Sequence, residues 1–150
     1  MRVVVISGFF NPIHCGHIDY IRASASLGDK LVVIVNNDKQ VRLKGTVPFM
    51  SEEDRLKIVS NIKGVDSAVI SVDKDGTVCQ SVREEYYKHC LSCCNDHFFT
   101  SMVFANGGDR KEGGIPESVL EEEIGVSMIY NVGGEKTESS SDLISRVKET

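Results

Sequence analysis

Residues 8–17, with the sequence GFFNPIHCGH, constrain the fold most, because they join an apolar strand to a helix through a short turn. Before them, residues 3–6 form an unbroken run of β-branched side chains, which predicts a strand buried on both faces of a sheet. After them, Ile18, Ile21 and Ala25 recur at helical spacing. The turn therefore opens a helix whose first N–H groups can bind an anion such as phosphate.

Two histidines give this turn its chemical character. His14 and His17 are one helical turn apart, so both imidazoles lie on the same side. Imidazole N–H groups can donate hydrogen bonds to phosphate oxygens, and they act most strongly where negative charge grows during a reaction. Gly8 can adopt a backbone angle that other residues resist, and it leaves space for a ligand. The alternative is a tight turn with one core and one surface histidine, but the full spacing after a buried strand favours a phosphate site.

Composition narrows the class of protein. The chain has 150 residues, of which 41% are hydrophobic and 26% charged, and this predicts one domain over residues 1–150. A net charge of −5 without a basic tail argues against a nucleic-acid partner. No apolar run approaches the length of a membrane span, and the N-terminus leads into a strand instead of a signal peptide. We therefore expect a cytoplasmic protein with no membrane partner.

Further apolar runs predict four more strands, at residues 30–36, 67–72, 102–105 and 127–130. A helical segment separates each strand from the next, which is the pattern of right-handed β-α-β units. One helix starts after Ser51, a good N-cap, another is expected from residue 78 to about residue 90, and a third runs from Pro116 to Gly125. The predicted fold class is α/β, a single-domain doubly wound parallel sheet of five strands with flanking helices.

Polar residues gather where these strands end, at the edge of the sheet where ligands bind. Residues 36–38 follow the second strand, and the predicted loop 39–50 carries Arg42 and Lys44, which suggest an anion. Arg55 points away from the apolar stripe of the next helix and could reach the same edge. The alternatives are turn chemistry for residues 36–38, a solvated basic run for the loop, and a surface arginine paired with a glutamate.

Two later segments also reach this edge. Residues 106–110 follow the fourth strand, and Ser139, Ser140 and Ser141 precede an apolar pair that begins another helix. Hydroxyl and N–H groups exposed at a helix N-terminus suit a phosphate. One serine is expected to cap the helix, and the run of three favours phosphate contact in addition.

Residues 89–97 are dense in metal-capable side chains. His89, Cys90, Cys93 and His97 could supply four zinc ligands on paper. Their spacing is too tight for the two separated ligand pairs of a finger or ribbon site, and the five cysteines, an odd number, give no disulfide framework. We expect free thiols at a helix end and no metal site; a small zinc-dependent interaction domain is the weaker alternative.

The pattern that starts at Gly8, Gly-x-Phe-Asn-Pro-x-His-x-Gly-His, resembles the motif Gly-x-Phe-Asp-x-x-His-x-Gly-His of the cytidylyltransferase-like superfamily of nucleotidylyltransferases. Residues 36–38, 42–45, 54–55, 107–109 and 139–141 are similar to blocks of glycerol-3-phosphate cytidylyltransferases. They are still more similar to the adenylyltransferase half of bifunctional ADP-heptose synthases. The resemblance covers nearly the whole chain and implies a Rossmann-like nucleotidylyltransferase fold.

The resemblance also implies a reaction. A phosphorylated sugar or polyol, such as heptose phosphate or glycerol 3-phosphate, would attack the α-phosphate of ATP or CTP, and pyrophosphate would leave. Mg²⁺ would accompany the triphosphate, and no side chain need be a nucleophile, because the acceptor's own oxygen attacks. The alternative from another class is a catalytically inactive nucleotide-binding regulatory or interaction module. We also expect a homodimer.

Carried over by position, the resemblance assigns roles to single residues. His14 and His17 would bind the triphosphate and stabilise negative charge at the α-phosphate. Lys44 would neutralise the same negative charge from the other side. Asp38 and Arg55 would serve the acceptor, Arg55 by holding its phosphate. The remaining nucleotide-binding positions are Gly8, Phe9, Phe10, Asn11, Gly108, Asp109, Ser139, Ser140 and Ser141.

Two positions depart from the motif. Asn11-Pro12 stands where most cytidylyltransferases have a pair that contains aspartate, and it resembles the adenylyltransferases of pantetheine and mononucleotide metabolism. The expected donor is therefore ATP over CTP. Ser139, Ser140 and Ser141 correspond to the Ser-Thr-Thr block of the family, which a basic residue often precedes. That basic residue is not matched here, since Lys136 is only nearby, and we therefore expect weaker binding of the triphosphate.

Overall fold

The computed structural model describes residues 1–91, 100–108, 114–134 and 145–148. Several residues with predicted roles lie outside these ranges: Asp109, Lys136, Ser139, Ser140, Ser141, Cys93 and His97. Their roles therefore stay predictions.

Five strands of the described chain form one sheet. They are β1 (Arg2–Gly8), β2 (Lys30–Val35), β3 (Ser67–Ile70), β4 (Ser101–Ala105) and β5 (Ser127–Ile129). Their order across the sheet is β3-β2-β1-β4-β5, and every neighbouring pair is parallel. The first strand of the sequence is thus the central strand, with Val5 in register between Val32 and Phe104.

Helices connect the strands. They are α1 (Cys15–Ala25), α2 (Asp38–Leu43), α3 (Glu52–Ser60), α4 (Cys79–Tyr86) and α5 (Val119–Ile124). A π-helical turn at Tyr87–Leu91 extends α4, a 3₁₀ turn at Pro116–Ser118 leads into α5, and residues 145–148 are helical. Among the described residues, no helix has the length and apolar character needed to cross a membrane.

The helices cover both faces of the sheet, so the core has two layers. On one face Val4 packs with Ile21 of α1 and Val59 of α3. On the other face Val5 packs in a cluster that includes Leu120 of α5. Burial on both faces explains why the strands are continuous apolar runs instead of alternating ones. The predicted doubly wound parallel α/β sheet with five strands and flanking helices is confirmed.

Helix α2 occupies part of the segment that the sequence predicted to be a loop from residue 39 to residue 50. Its N-cap is Asn37, whose side chain accepts from the N–H of Gln40 at 2.9 Å, while the Gln40 side chain accepts from the N–H of Asn37 at 3.2 Å. This is a reciprocal capping box. The prediction of a loop was wrong because residues 36–38 end a strand and start a helix without a turn between them.

Candidate active site

The candidate site lies at the carboxyl edge of the sheet, between the ends of β1 and β4. Strands β2 and β3 lie to one side of β1, and β4 and β5 lie to the other. The connections after β1 and β4 therefore run in opposite directions and leave a crevice, the place where ligands bind in such sheets. The turn with the two histidines follows β1, and residues 106–108 follow β4.

His14 and His17 form a stacked pair at the N-terminus of α1, which begins at Cys15. Their ring centroids lie 3.9 Å apart, with 27° between the ring planes. His14 Nδ1 accepts from the N–H of Gly16 at 3.1 Å, and His17 Nδ1 accepts from the N–H of His14 at 3.1 Å. Because Nδ1 is an acceptor in both rings, the proton of each neutral imidazole is on Nε2. One helix end thus carries two Nε2–H donors.

Phe10 supports the histidine pair from within the core. Its ring is 1% exposed and meets the His17 ring at its edge, with centroids 4.9 Å apart. Phe10 itself adopts the left-handed backbone conformation, with a φ of 50°, and a Cβ on Gly8 would lie 2.8 Å from its ring. The expectation that Gly8 supplies an unusual backbone angle was therefore wrong, since glycine is needed there to make room for Phe10. The buried Phe10 ring, predicted to contact the nucleotide, instead fixes the position of His17.

Asn11 ties a second segment of the chain to the same turn. Its buried side chain donates from Nδ2 to the carbonyl of Val47 at 2.9 Å and accepts at Oδ1 from the N–H of Phe49 at 2.7 Å. Both ends of the amide are engaged within the protein, and the predicted contact of Asn11 with the nucleotide stays a prediction. Asn11 holds residues 47–49 beside the turn that carries the histidines.

Arg55, which was predicted to hold the acceptor's phosphate, lies inside the protein, and that role stays a prediction. Its side chain is fully buried. Nη1 donates to the carbonyls of Phe9 at 2.7 Å and Asn36 at 2.6 Å. Nη2 donates to Oδ1 of Asp38 at 2.6 Å, and Nε donates to the carbonyl of Met50 at 3.2 Å. The guanidinium thus braces the ends of β1 and β2, and Asp38, which was predicted to bind substrate, is its charged partner.

Lys44 lies at the surface beside the turn. It is the C-cap of α2 and not part of a flexible loop, and its side chain is exposed. Its Nζ is 4.5 Å from the centroid of the half-buried Phe9 ring, a cation–π contact. This contact places the ammonium next to the segment that carries the histidines, where its role in catalysis stays a prediction.

Close backbone contacts form the other side of the crevice. A Cβ on Gly108 would lie 2.2 Å from the carbonyl oxygen of Gly134, so only glycine permits this approach between the segments after β4 and β5. The hydroxyl of Tyr20 on α1 donates to the carbonyl of Ala105 at the end of β4. Tyr20 was not predicted, and its i+3 spacing from His17 on the same helix face was the available signal.

Gln40 is a buried residue near the site that sequence reasoning also missed. Its Nε2 donates to the carbonyls of Asp75 at 2.8 Å and Thr77 at 2.7 Å, and its Oε1 accepts from Asn36 at 3.0 Å. The side chain therefore fastens the turn after β3 to the end of β2. The Asn-x-x-Gln spacing of a capping box was the signal in the sequence.

The cysteine-rich segment is only partly described. In the described ranges, no three metal-capable side chains come together. Cys90 is half-buried, and His89 Nε2 lies 3.1 Å from Oε2 of Glu85. Burial lowers the pKa of His89 below its usual value. Because Cys93 and His97 are outside the described residues, the absence of a zinc site stays a prediction.

Comparison with known proteins defines the class to which this site belongs. The model of the cytidylyltransferase-like family matches residues 5–113, a span that contains the histidine pair, Lys44 and Arg55. The chain therefore belongs to the cytidylyltransferase-like family, as the motif indicated.

Curated relatives add particular enzymes to which the chain is similar. FAD synthase of Thermoplasma acidophilum is 47% identical over 72 residues, which are 48% of this chain and 51% of the relative. The bifunctional protein HldE of Koribacter versatilis is 41% identical over 71 residues, which are 46% of this chain and 15% of HldE. The matched part of the chain spans about half the length of the FAD synthase.

Solved structures share the architecture. The lipopolysaccharide core biosynthesis protein from Thermoplasma volcanium GSS1 has a TM-score of 0.67 at 28% identity, over 91% of this chain and 99% of that chain. A bifunctional NMN adenylyltransferase/ADP ribose pyrophosphatase from Francisella tularensis has a TM-score of 0.57 at 15% identity, over 93% of this chain and 39% of that chain. The second likeness shows the fold alone.

Proposed function

We propose that this protein is a nucleotidylyltransferase that transfers AMP from ATP to a phosphorylated acceptor and releases pyrophosphate. The observation that carries the proposal is the stacked imidazole pair, with two Nε2–H donors at one helix N-terminus beside the crevice of the sheet. Such donors, the helix dipole and the ammonium of Lys44 together favour a triphosphate. Membership of the cytidylyltransferase-like family supports the same chemistry.

In the proposed reaction, an oxygen of the acceptor's phosphate attacks the α-phosphorus of ATP. The bond from that phosphorus to the bridging oxygen breaks, and pyrophosphate leaves with the electron pair. The acceptor's phosphate is already an anion, so no side chain has to remove a proton from it. The Nε2–H groups of His14 and His17 donate to phosphate oxygens on which charge grows, and Arg55 and Asn11 hold this geometry before substrate arrives.

Mg²⁺ is expected to arrive with the triphosphate. Among the described residues, the groups at the site are N–H donors and an ammonium, and Oδ1 of Asp38 accepts from Arg55. Phosphate oxygens and water therefore suit Mg²⁺ better here than side chains do. When bound, the ion would neutralise part of the charge on the triphosphate.

FMN is the acceptor that we favour, because several relatives are FAD synthases. FAD consists of AMP joined to FMN through a pyrophosphate linkage. The phosphate of FMN is carried by a ribityl chain, so FMN is itself a phosphorylated polyol. Heptose phosphate and glycerol 3-phosphate, which the sequence resemblance suggests, are the competing acceptors.

The test combines two donors with three acceptors. The protein is incubated with Mg²⁺, with ATP or CTP, and with FMN, glycerol 3-phosphate or a heptose phosphate, and pyrophosphate release is measured. We expect the fastest release with ATP and FMN. His17→Ala should reduce that rate by about 10²-fold or more, because one preorganised donor to a developing oxyanion is worth about 3 kcal/mol. Nucleotide binding without pyrophosphate from any pair would favour the regulatory binding module instead.

A further inference from the structure

Large apolar side chains stand exposed in one segment next to the candidate site. Leu43, Val47 and Phe49 are 63%, 70% and 60% exposed; Leu43 is the last residue of α2, and the other two lie between α2 and α3. Single exposed apolar residues are normal on a protein surface. Three of them within seven residues of one segment are more than scattered single residues, and we take this segment as a candidate surface for a ligand or a partner.

The backbone beneath these side chains is held in place from the inside. Asn11 binds the carbonyl of Val47 and the N–H of Phe49, and Arg55 binds the carbonyl of Met50. Both anchoring side chains are buried. Residues 47–49 therefore form a fixed wall beside the turn that carries the histidines, and a loose loop does not explain the exposure of Val47 and Phe49.

The positive charges next to these apolar side chains indicate which kind of molecule could bind there. Arg42 and Lys44 flank Leu43 in the sequence, and both are exposed. A molecule that is apolar at one end and anionic at the other complements such a surface. Asn11 belongs to the same turn as the histidine pair, so a molecule bound at the wall would lie beside the segment that carries the imidazoles.

We propose that Val47 and Phe49 form a subsite for the flat apolar part of a phosphorylated acceptor, such as the isoalloxazine ring of FMN. The inference rests on the proposed function and adds the residues that would select an acceptor with a planar aromatic group over one without. Glycerol 3-phosphate and heptose phosphates have no extended apolar face to cover these side chains. The subsite therefore contributes selectivity, because an apolar pocket gains affinity from the apolar area that it buries.

Phe49→Ser and Val47→Ser test the subsite, because both side chains are exposed and the buried anchors remain. Val119→Ser on α5, which removes a side chain that is 53% exposed, is the matched control. FMN binding is followed by the change in flavin fluorescence, and transfer is followed by pyrophosphate release. We expect Phe49→Ser to weaken FMN binding by about tenfold, since burying a phenylalanine side chain is worth at least that factor. ATP affinity and the rate with glycerol 3-phosphate should change much less than FMN affinity does, and Val119→Ser should match the wild type.

Equal FMN affinity in the wild type, Phe49→Ser and Val47→Ser would overturn the inference. It would also be overturned if light scattering showed that Phe49→Ser dissociates a dimer without changing FMN affinity, because a second copy of the chain would then cover the wall.

The two proposals fail in distinguishable ways. FMN binding that depends on Phe49, with no pyrophosphate from any acceptor, refutes the transfer activity and keeps the subsite. Turnover of glycerol 3-phosphate without any FMN binding keeps the activity and refutes the subsite.

Discussion

His14 has two roles that a substitution can separate. Its Nδ1 caps α1 by accepting from the N–H of Gly16, and its Nε2 carries the proton that the proposed mechanism uses. His17 also has a structural contact, because its Nδ1 accepts from the N–H of His14. A loss of activity in a simple alanine variant would therefore mix a catalytic effect with an effect on the helix start.

His14→Asn keeps the cap and removes the catalytic donor, because asparagine is a strong N-cap but has no N–H at the position of Nε2. We expect pyrophosphate release to fall by about 10²-fold or more, with a melting temperature close to that of the wild type. His14→Ala should lose as much activity and, in addition, about 1 kcal/mol of unfolding free energy. Kinetics and thermal unfolding of both variants check this, and full activity in His14→Asn would remove His14 from the mechanism.

Arg55→Lys keeps the positive charge but loses the planar fork. One ammonium cannot reach the carbonyls of Phe9, Asn36 and Met50 together with the carboxylate of Asp38. Each buried acceptor left without a partner costs about 1–3 kcal/mol, so we expect a lower melting temperature and a lower kcat. The KM values for ATP and for the acceptor should change much less, since we expect the buried guanidinium to hold the geometry of the site and not a substrate.

Chemical rescue can distinguish a structural role of Arg55 from direct contact of Arg55 with a substrate. Guanidinium ion at millimolar concentration should restore part of the stability and activity of Arg55→Ala, whereas sodium chloride at the same ionic strength should not. An increase in the acceptor KM alone, with an unchanged melting temperature, would instead support direct binding of the acceptor's phosphate.

Among the elements, the strands were predictable and the connections around the site were not. Strands buried on both faces are continuous apolar runs, and such runs are visible in a sequence. Helix α2 was missed because the residues that end β2 also cap the helix. The burial of Arg55 was missed because arginine is usually exposed, and its buried place exists only where groups from separate segments converge.

The close contact between the segments after β4 and β5 leads to a further prediction about how these elements pack. Gly108→Ala would place a Cβ 2.2 Å from the Gly134 carbonyl oxygen, whereas a Cβ on Gly76 has no heavy atom within 4 Å. We expect Gly108→Ala to lose roughly 1–3 kcal/mol of stability and to weaken ATP binding, because the two segments must move apart. Gly76→Ala, the matched control, should be neutral or slightly stabilising. Thermal unfolding and ATP titration measure both effects, and identical behaviour of the two variants would contradict the tight contact.

At the scale of the whole molecule, a nucleotide bound in the crevice as proposed would contact segments from both halves of the sheet and should stabilise the fold. A ligand that binds only the folded state adds about 2.7 kcal/mol when its concentration is a hundred times Kd. We expect ATP with Mg²⁺ to raise the melting temperature by several degrees, and by more than CTP does at equal concentration. EDTA should remove most of the effect, and a larger shift with CTP would contradict the preference for ATP.

The central position of β1 has a consequence for the newly made chain. β1 can pair with β2 as soon as residue 35 has been synthesised, but its other edge stays open until residues 101–105 supply β4. At about 5–20 residues per second, an apolar strand edge is left uncovered for several seconds. Open strand edges pair readily with other chains. The interval before β4 emerges is therefore the period in which the nascent protein is most prone to aggregation and in which a chaperone would protect it most.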